Sequence, residues 1–539
     1  MTDEHALARA VPAWAAEACG WGAALLLSLV AVAHLDATDR SWMLYYDPET
    51  VLPALVRGSA VAGQPQDWAL SAVLFIPEMA LYLGLAALGL GVKGTFALNA
   101  AVNFLLLYGA LRLVSGAVRP GRPHGRRIAG ALVAFGAVIG LSLLEDTSGW
   151  DTFEVASLLA TATFYSTTVL AVTATTGLVA RAIAARSGQG SGATPGPKRG
   201  RWLAAALFAV SAVATLTNPL YLAWEAAPLV VVFAMLGWRR VVAWVLLARV
   251  AAVLGAGAVV GLAGRIPFAA LITKDGPAYA KPGQALGTAI YYAEKLADRA
   301  STLPGALSLT FAVALVVGCV LVFRRSLARR DAATALVAGV GWVAPLGVLV
   351  GAVALGIVGT RYVQPLFFAP VCLLVLAPDL AAPGALARRL PARGLRVLLA
   401  GWAAACLAAS AILTASLGSS AGRIDADVRC VDAWVSASHR TGAGRYWTIR
   451  GPKAYLAEPN QLVQVDDAFN AYPWLTDRDD YRNVPAVSFV LSDDRYPAPP
   501  LPSAARGLPH ETVACGRYTI TDFGQDVLAI GPAHANATP

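Results

Sequence analysis

The chain has 539 residues, of which 57% are hydrophobic and 14% are charged. A soluble domain carries roughly 25% charged residues, and no soluble globule of this size hides so much apolar side chain, so soluble enzymes and soluble binding modules are excluded. The formal net charge of +9 is not a nucleic-acid footprint, because the Lys and Arg residues stand in short clusters between apolar runs, where they act as topology signals.

Apolar runs of about 20 residues are long enough to cross a bilayer. They fall at about 19–35, 95–118, 128–145, 155–183, 202–217, 219–237, 241–263, 305–323, 333–358, 362–383 and 397–418. The first run, from Cys19 to Leu35, lacks a strongly basic segment before it and a small-residue cleavage site after it. It reads as a signal anchor that stays as the first helix. Five basic clusters separate later runs: Arg119, Arg122, Arg126 and Arg127; Lys198, Arg199 and Arg201; Arg239 and Arg240; Arg324, Arg325, Arg329 and Arg330; and Arg388, Arg389, Arg393 and Arg396. The positive-inside rule assigns these five loops to the cytoplasm. The loop carrying Glu145, Asp146, Asp151 and Glu154, and the mixed stretch 265–304, then face outward.

Residues 69–92 are apolar enough to span, yet a crossing there would turn all five basic loops to the outside. Pro77 and Glu78 in the middle of that stretch suit an interface better than a hydrocarbon core. Residues 36–94 therefore read as one long extracytoplasmic loop. The fold class that follows is an α-helical polytopic membrane protein of about eleven transmembrane helices, N-terminus inside and C-terminus outside, in the plasma (inner) membrane.

After about Ser419 the chain changes character, with more charge, more proline and short β-like runs at 487–494 and 517–531. Residues 428–440 read as a helix. The organisation is a transmembrane domain over 1–418 and an extracytoplasmic α/β or α+β domain over 419–539. Cys430 and Cys515 are the two cysteines of that tail; Cys19, Cys319, Cys372 and Cys406 lie in predicted helices. A pair outside the membrane predicts a disulfide. The Asn536-Ala-Thr glycosylation pattern lies at the extreme terminus and carries no weight.

There is no Walker A loop, no H-E-x-x-H and no CxxC, so nucleotide, zinc-protease and dithiol chemistries have no motif to rest on. The six histidines include no pair at metal-ligand spacing, and His34 reads as an interfacial residue. The chemistry instead points to acids outside the membrane. The first long loop offers Asp36, Asp39, Asp47, Glu49 and Asp67. Asp47 and Glu49 follow the aromatic residues Trp42, Tyr45 and Tyr46 and precede an apolar stretch. A carboxylate desolvated by apolar walls gains basicity and suits deprotonation of a hydroxyl. The rings beside it either hold a sugar face or anchor the interface.

Other residues fall on the same side. Arg361-Tyr362-Val363-Gln364-Pro365 opens a helix at the outer boundary, where an arginine binds a lipid phosphate or snorkels to headgroups. Asp146 and Asp151, with Trp150, mark the next outer junction. The loop 265–304 carries Lys274, Lys281, Lys295, Arg299, Tyr279, Tyr291 and Tyr292; it caps an outward cavity or is a solvated connector. Glu225 and Arg249 fall inside predicted spans on neighbouring antiparallel helices, where a buried pair would be either structural or part of a pathway.

This layout resembles the GT-C superfamily of polytopic membrane glycosyltransferases that use polyprenyl-phosphate sugars, loosely over residues 1 to about 385. Asp47-Pro48-Glu49 stands where that superfamily has its acidic motif. Residues 69–92 followed by Phe96-Ala97-Leu98-Asn99 stand where it has a juxtamembrane helix and second span, and Arg361-Tyr362…Pro365 resembles its late R-Y-x-x-P motif. Two departures are plain: Pro48 separates acids that are adjacent in most members, and Phe75-Ile76-Pro77-Glu78 replaces a His-Pro-Pro type motif.

The resemblance implies an inverting transferase. A lipid-linked sugar donor enters from the outer leaflet, and Arg361, aided by Tyr362 and by lysines such as Lys274, holds its phosphate. Asp47 is the general base toward a glycan, lipid or protein acceptor of the cell envelope. Glu49 or Asp146 orients the acceptor or holds a divalent cation (Mg, Mn or Ca), with Asp151 and Tyr46 among the substrate-binding residues. The competing classes are a transporter or flippase of lipid-linked glycans, whose internal repeats are not visible here, and a non-catalytic envelope assembly protein.

Overall fold

A computed structural model of the chain describes residues 12–149, 151–185, 197–273, 280–380 and 392–533. Nine helices among these are long and apolar enough to cross a bilayer. They are α1 (Ala13–Ala37), α2 (Gly91–Val118), α3 (His124–Ser142), α4 (Ser166–Ala184), α5 (Pro197–Thr217), α6 (Trp244–Ala263), α7 (Leu303–Ala328), α8 (Ala332–Leu355) and α9 (Ala392–Ala421). Two shorter apolar helical stretches, Leu222–Trp238 and Thr360–Leu376, occupy the two remaining predicted runs. Both are irregular for local reasons. The first opens with a π turn at Leu222–Ala226 followed by Pro228. The second passes from a 3₁₀ turn through Pro365 and Pro370 into another 3₁₀ turn, because proline removes a backbone donor from the helical ladder.

Close packing of α5 on α6 depends on small residues. A Cβ added at Gly257 would lie 2.5 Å from the Phe208 carbonyl oxygen, and one at Gly261 would lie 2.4 Å from that of Ala212. A pair of glycines four apart lets two backbones touch, which apolar bulk alone does not drive inside a bilayer.

The run predicted at 155–183 differs from expectation, since helix α4 begins only at Ser166. Residues 151–165 instead form turns and a short 3₁₀ segment, Ser157–Ala160. Side chains satisfy this backbone. Both carboxylate oxygens of Glu145 accept from the Ala156 and Ser157 amides, and Asn103 donates to the carbonyls of Leu159 and Thr161. Irregular backbone inside a helical fold is tolerated where protein groups pair it.

Residues 69–92 do not form one long helix. They contain an eleven-residue helix, Ile76–Ala86, entered through Phe75 at φ 50° and Pro77. At 1.5 Å per residue it reaches only about 16 Å, roughly half a hydrocarbon core.

The tail is mixed α/β. Its central sheet has five strands: β1 (Gly442–Arg445), β2 (Leu462–Val465), β3 (Phe489–Asp493), β4 (Glu511–Cys515) and β5 (Tyr518–Asp522), in spatial order β2-β1-β3-β5-β4. The first three in that order lie parallel, and the last three lie antiparallel with β5 between β3 and β4. The predicted helix is present as Ala426–Ser438. A disulfide joins its Cys430 to Cys515 on β4 across 85 residues. A closure of that length stabilises by about 4 kcal/mol in the chain-entropy account. Cys19, Cys319, Cys372 and Cys406 are unpaired.

The tail does not stand apart from the first loop. Trp68 and Ala69 pair antiparallel with Asp477 and Thr476, and Asp477 accepts from Ser59 at 3.2 Å and from the Asp67 amide. Asp67 also meets Arg478 at 2.8 Å.

Candidate active site

A short turn presents the acids of the first loop. One Asp47 carboxylate oxygen accepts from the amides of Glu49 at 2.9 Å and Thr50 at 3.1 Å. This Asx-type turn, with Pro48 inside it, leads into the helix Leu52–Val61. Asp47 is fully buried, and its second carboxylate oxygen has no hydrogen-bond partner among the described residues. Burial, and then the negative charge of Glu49, push its pKa up to about 7.

Glu49 turns toward Arg361. The guanidinium reaches it at 2.5 Å and lies over the rings of Phe164 and Tyr362 at 5.6 and 5.4 Å. Glu49, Arg361 and Tyr362 belong to the wall of a cavity of about 480 Å³. Leu220, Ala223, Ala227 and Val231 form one side, and Val343, Gly347, Gly351 and Leu355 the other. Neighbours within each set are three or four residues apart, so each set forms one stripe of a helix. Together they make an apolar groove that leads to an ion pair. Trp474 and Leu475 of the tail complete the wall. Asp47 does not line the cavity; it sits behind Glu49.

The remaining predicted site residues fall elsewhere. Tyr46 is buried, and its ring packs on Tyr455 of the tail at 5.0 Å. Asp146 is exposed. Asp151 accepts from the Tyr291 hydroxyl and meets Lys295 at 3.3 Å. Neither Asp146 nor Asp151 lines the cavity. Lys274, Tyr279 and Trp150 lie outside the described residues. Glu225 and Arg249 do not pair: Glu225 is buried and accepts from Thr176 at 3.1 Å, while Arg249 is exposed.

Sequence reading missed two groups. Arg40, Glu154 and Arg299 form a buried cluster, with Arg299 on Glu154 at 2.6 Å and Arg40 at 3.7 Å. Arg40 also donates to the carbonyls of Thr147 and Gly149, so the cluster shapes the 145–157 loop. Nothing local marks Arg40, which stands in a run of polar residues. The second group comes from the tail helix Tyr446–Lys453. Tyr446 lies within electrostatic reach of Glu49, Asp47 and Arg361, and burial and then Glu49's charge hold its phenol well above the usual range. The Gly418–Gly422 stretch has G-x-S-x-G spacing but ends helix α9, and its Ser420 donates to Asp36 at 2.7 Å. It is not the strand-turn-helix setting that a nucleophile of this motif needs.

No group of three or more His, Cys, Asp or Glu residues with metal-binding geometry occurs among the described residues. The Asp47–Glu49 turn offers two carboxylates, and Arg361 occupies the one that faces the cavity. That donor set fits a divalent cation poorly.

No family model matches the chain, and no curated protein matches it. Among solved structures the chain is similar to the archaeal oligosaccharyltransferase AglB from Archaeoglobus fulgidus, determined in complex with an inhibitory peptide and a dolichol-phosphate. Identity is 13%, the match covers 88% of this chain and 69% of that chain, and the TM-score is 0.44.

Proposed function

We propose that this protein is a membrane glycosyltransferase that moves a sugar from a polyprenyl-phosphate donor to an acceptor of the cell envelope on the extracytoplasmic side. One observation carries the reading: a single cavity joins an apolar groove to a buried-edge arginine held by an acid. An isoprenoid chain suits the groove, and a phosphate suits Arg361, whose planar fork matches phosphate oxygens. In this mechanism the phosphate replaces Glu49 on Arg361. Glu49 swings aside and opens the way to Asp47. Asp47 takes the proton of the acceptor hydroxyl, the hydroxyl oxygen bonds to the anomeric carbon, and the bond from that carbon to the phosphate oxygen breaks with inversion. The electron pair leaves on the phosphate, where Arg361 stabilises it. No divalent cation is needed, because Arg361 supplies the positive charge.

The groove is tested by filling it. A side chain added at Gly351 meets nothing within 4 Å, so Gly351→Leu projects into open groove. It is expected to weaken binding of synthetic polyprenyl phosphate by about tenfold or more, the worth of roughly one to two buried methylenes of lost lipid contact. Gly255→Leu, also in open space but on a helix outside the groove, is the control and should bind normally. Native mass spectrometry in detergent reads both. Equal binding by the two variants would remove the groove from the donor site.

The topology proposed with this function has eleven spans, the N-terminus inside, and loop 36–94 and the tail outside. Val61 and Gly121 are exposed and serve as labelling sites. Single cysteines there are expected to react with a membrane-impermeant maleimide at 61 and not at 121 in intact cells. The reverse pattern would overturn the orientation.

A further inference from the structure

The acidic turn is held from the tail as well as from the membrane helices. Arg450, on the tail helix Tyr446–Lys453, is 1% exposed. Its Nε donates to the Pro48 carbonyl at 2.7 Å, and its Nη1 donates to the Leu475 carbonyl. Pro48 is the residue between Asp47 and Glu49, and Leu475 lines the cavity. One guanidinium therefore joins the acidic motif to the cavity wall. The same helix approaches the turn at two further points. The Tyr455 hydroxyl, just past its end, donates to the Tyr45 carbonyl at 2.8 Å. At Gly451 a Cβ would stand 2.8 Å from the Tyr46 carbonyl oxygen, so only glycine allows this approach.

A buried guanidinium is an expensive way to fill space, since it loses its hydration and an apolar side chain would fill the same volume without that cost. What arginine adds is a rigid fork that reaches two carbonyls at a fixed separation. Neither carbonyl belongs to the tail's own sheet: one lies in the catalytic turn, and the other lies in the segment that walls the cavity.

We propose that Arg450 is a positioning residue of the transfer reaction, holding the Asp47–Pro48–Glu49 turn against the cavity wall, so that the tail is part of the active site. The proposal rests on the glycosyltransferase reading above, and it explains why the tail is pinned to the first loop by paired strands and by the Arg478–Asp67 contact.

The test uses full-length Arg450→Gln and Arg450→Lys in nanodiscs. Amide exchange is expected to rise about tenfold at residues 46–51 while strands 462–465 and 518–522 stay at wild-type rates, the signature of local rather than global opening. In the same variants kcat should fall by about 100-fold for Gln, a displacement of roughly 1 Å in a reacting group being worth that much. The donor KM should stay unchanged, because Arg361 still holds the phosphate. Lysine, which keeps the charge but not the fork, should recover part of kcat. Unchanged exchange at 46–51 overturns the proposal. So does exchange that rises equally through both tail strands in the two variants, which would make Arg450 a folding residue of the tail. The exchange readout needs no donor. A wild-type protein that transfers no sugar would therefore show the failure of the transferase reading separately from that of the clamp.

Discussion

Asp47→Asn is expected to abolish sugar transfer while leaving the protein folded. Asparagine keeps the shape of the side chain and one acceptor oxygen, so the amides of Glu49 and Thr50 retain their partner. What it loses is the capacity to take a proton. General-base assistance is typically worth 10²–10⁴-fold, about 3–5 kcal/mol of barrier. The pH dependence adds a second signature. The base works only when ionised, and burial with a neighbouring Glu49 pushes Asp47 up to about 7. Wild-type kcat/KM should therefore rise as pH increases through about 7 and be lost below it. The residual activity of Asp47→Asn should lack that step. Near wild-type turnover by the variant would pass the role of base to Glu49, the acid that faces the cavity.

Arg361 and Glu49 should show opposite effects on donor binding. Arg361→Ala removes the only cation that the cavity wall presents among the described residues. Losing a positioned donor to a developing anion costs about 10²–10³-fold in kcat, and here the donor KM should rise as well. Glu49→Gln removes the group that competes with phosphate for Arg361 at 2.5 Å. Its donor KM should fall, by roughly tenfold if a hydrogen bond between charged groups is worth 1.5–3 kcal/mol and part of it is recovered. Steady-state kinetics on the two variants measures both. If Glu49→Gln weakens the donor as Arg361→Ala does, Glu49 is a ligand of the substrate and not a placeholder for its phosphate.

Hydropathy and charge made the membrane helices legible, because a bilayer imposes length and apolarity on each span separately. Charge argued against a single long span over 69–92, and the helix present there, Ile76–Ala86, has only eleven residues. The break at 151–165 was not readable, since its satisfied backbone depends on Asn103 and Glu145, which are distant or outside the run. Glu225 and Arg249 show a related limit. Hydropathy places both at membrane depth but does not say which helix face each occupies, and the structure gives Glu225 a threonine partner and leaves Arg249 exposed.

The candidate site divides in the same way. Asp47, Glu49 and Arg361 stood out because acids and an arginine at helix ends are unusual in so apolar a chain. That Glu49 rather than Asp47 faces Arg361 follows from the Asx turn, and alternation of residue types does not reveal it. Asp146 and Asp151 looked equivalent to the acids of the first loop, but the structure puts Asp151 with Lys295 and Tyr291. Tyr446 and Arg450 carry no local signal at all. They reach the site only because the tail folds back onto a turn some 400 residues earlier in the chain.

The most direct measurement is the release of free polyprenyl phosphate from a synthetic polyprenyl-phosphate sugar by the purified protein in nanodiscs, supplied with a set of cell-envelope glycan, lipid and peptide acceptors. The expected result is release coupled to a glycosylated product of inverted anomeric configuration, at a rate about 100-fold or more above that of Asp47→Asn. Release at the same rate by wild type and Asp47→Asn, or no release from a donor that the wild-type protein demonstrably binds, would contradict it.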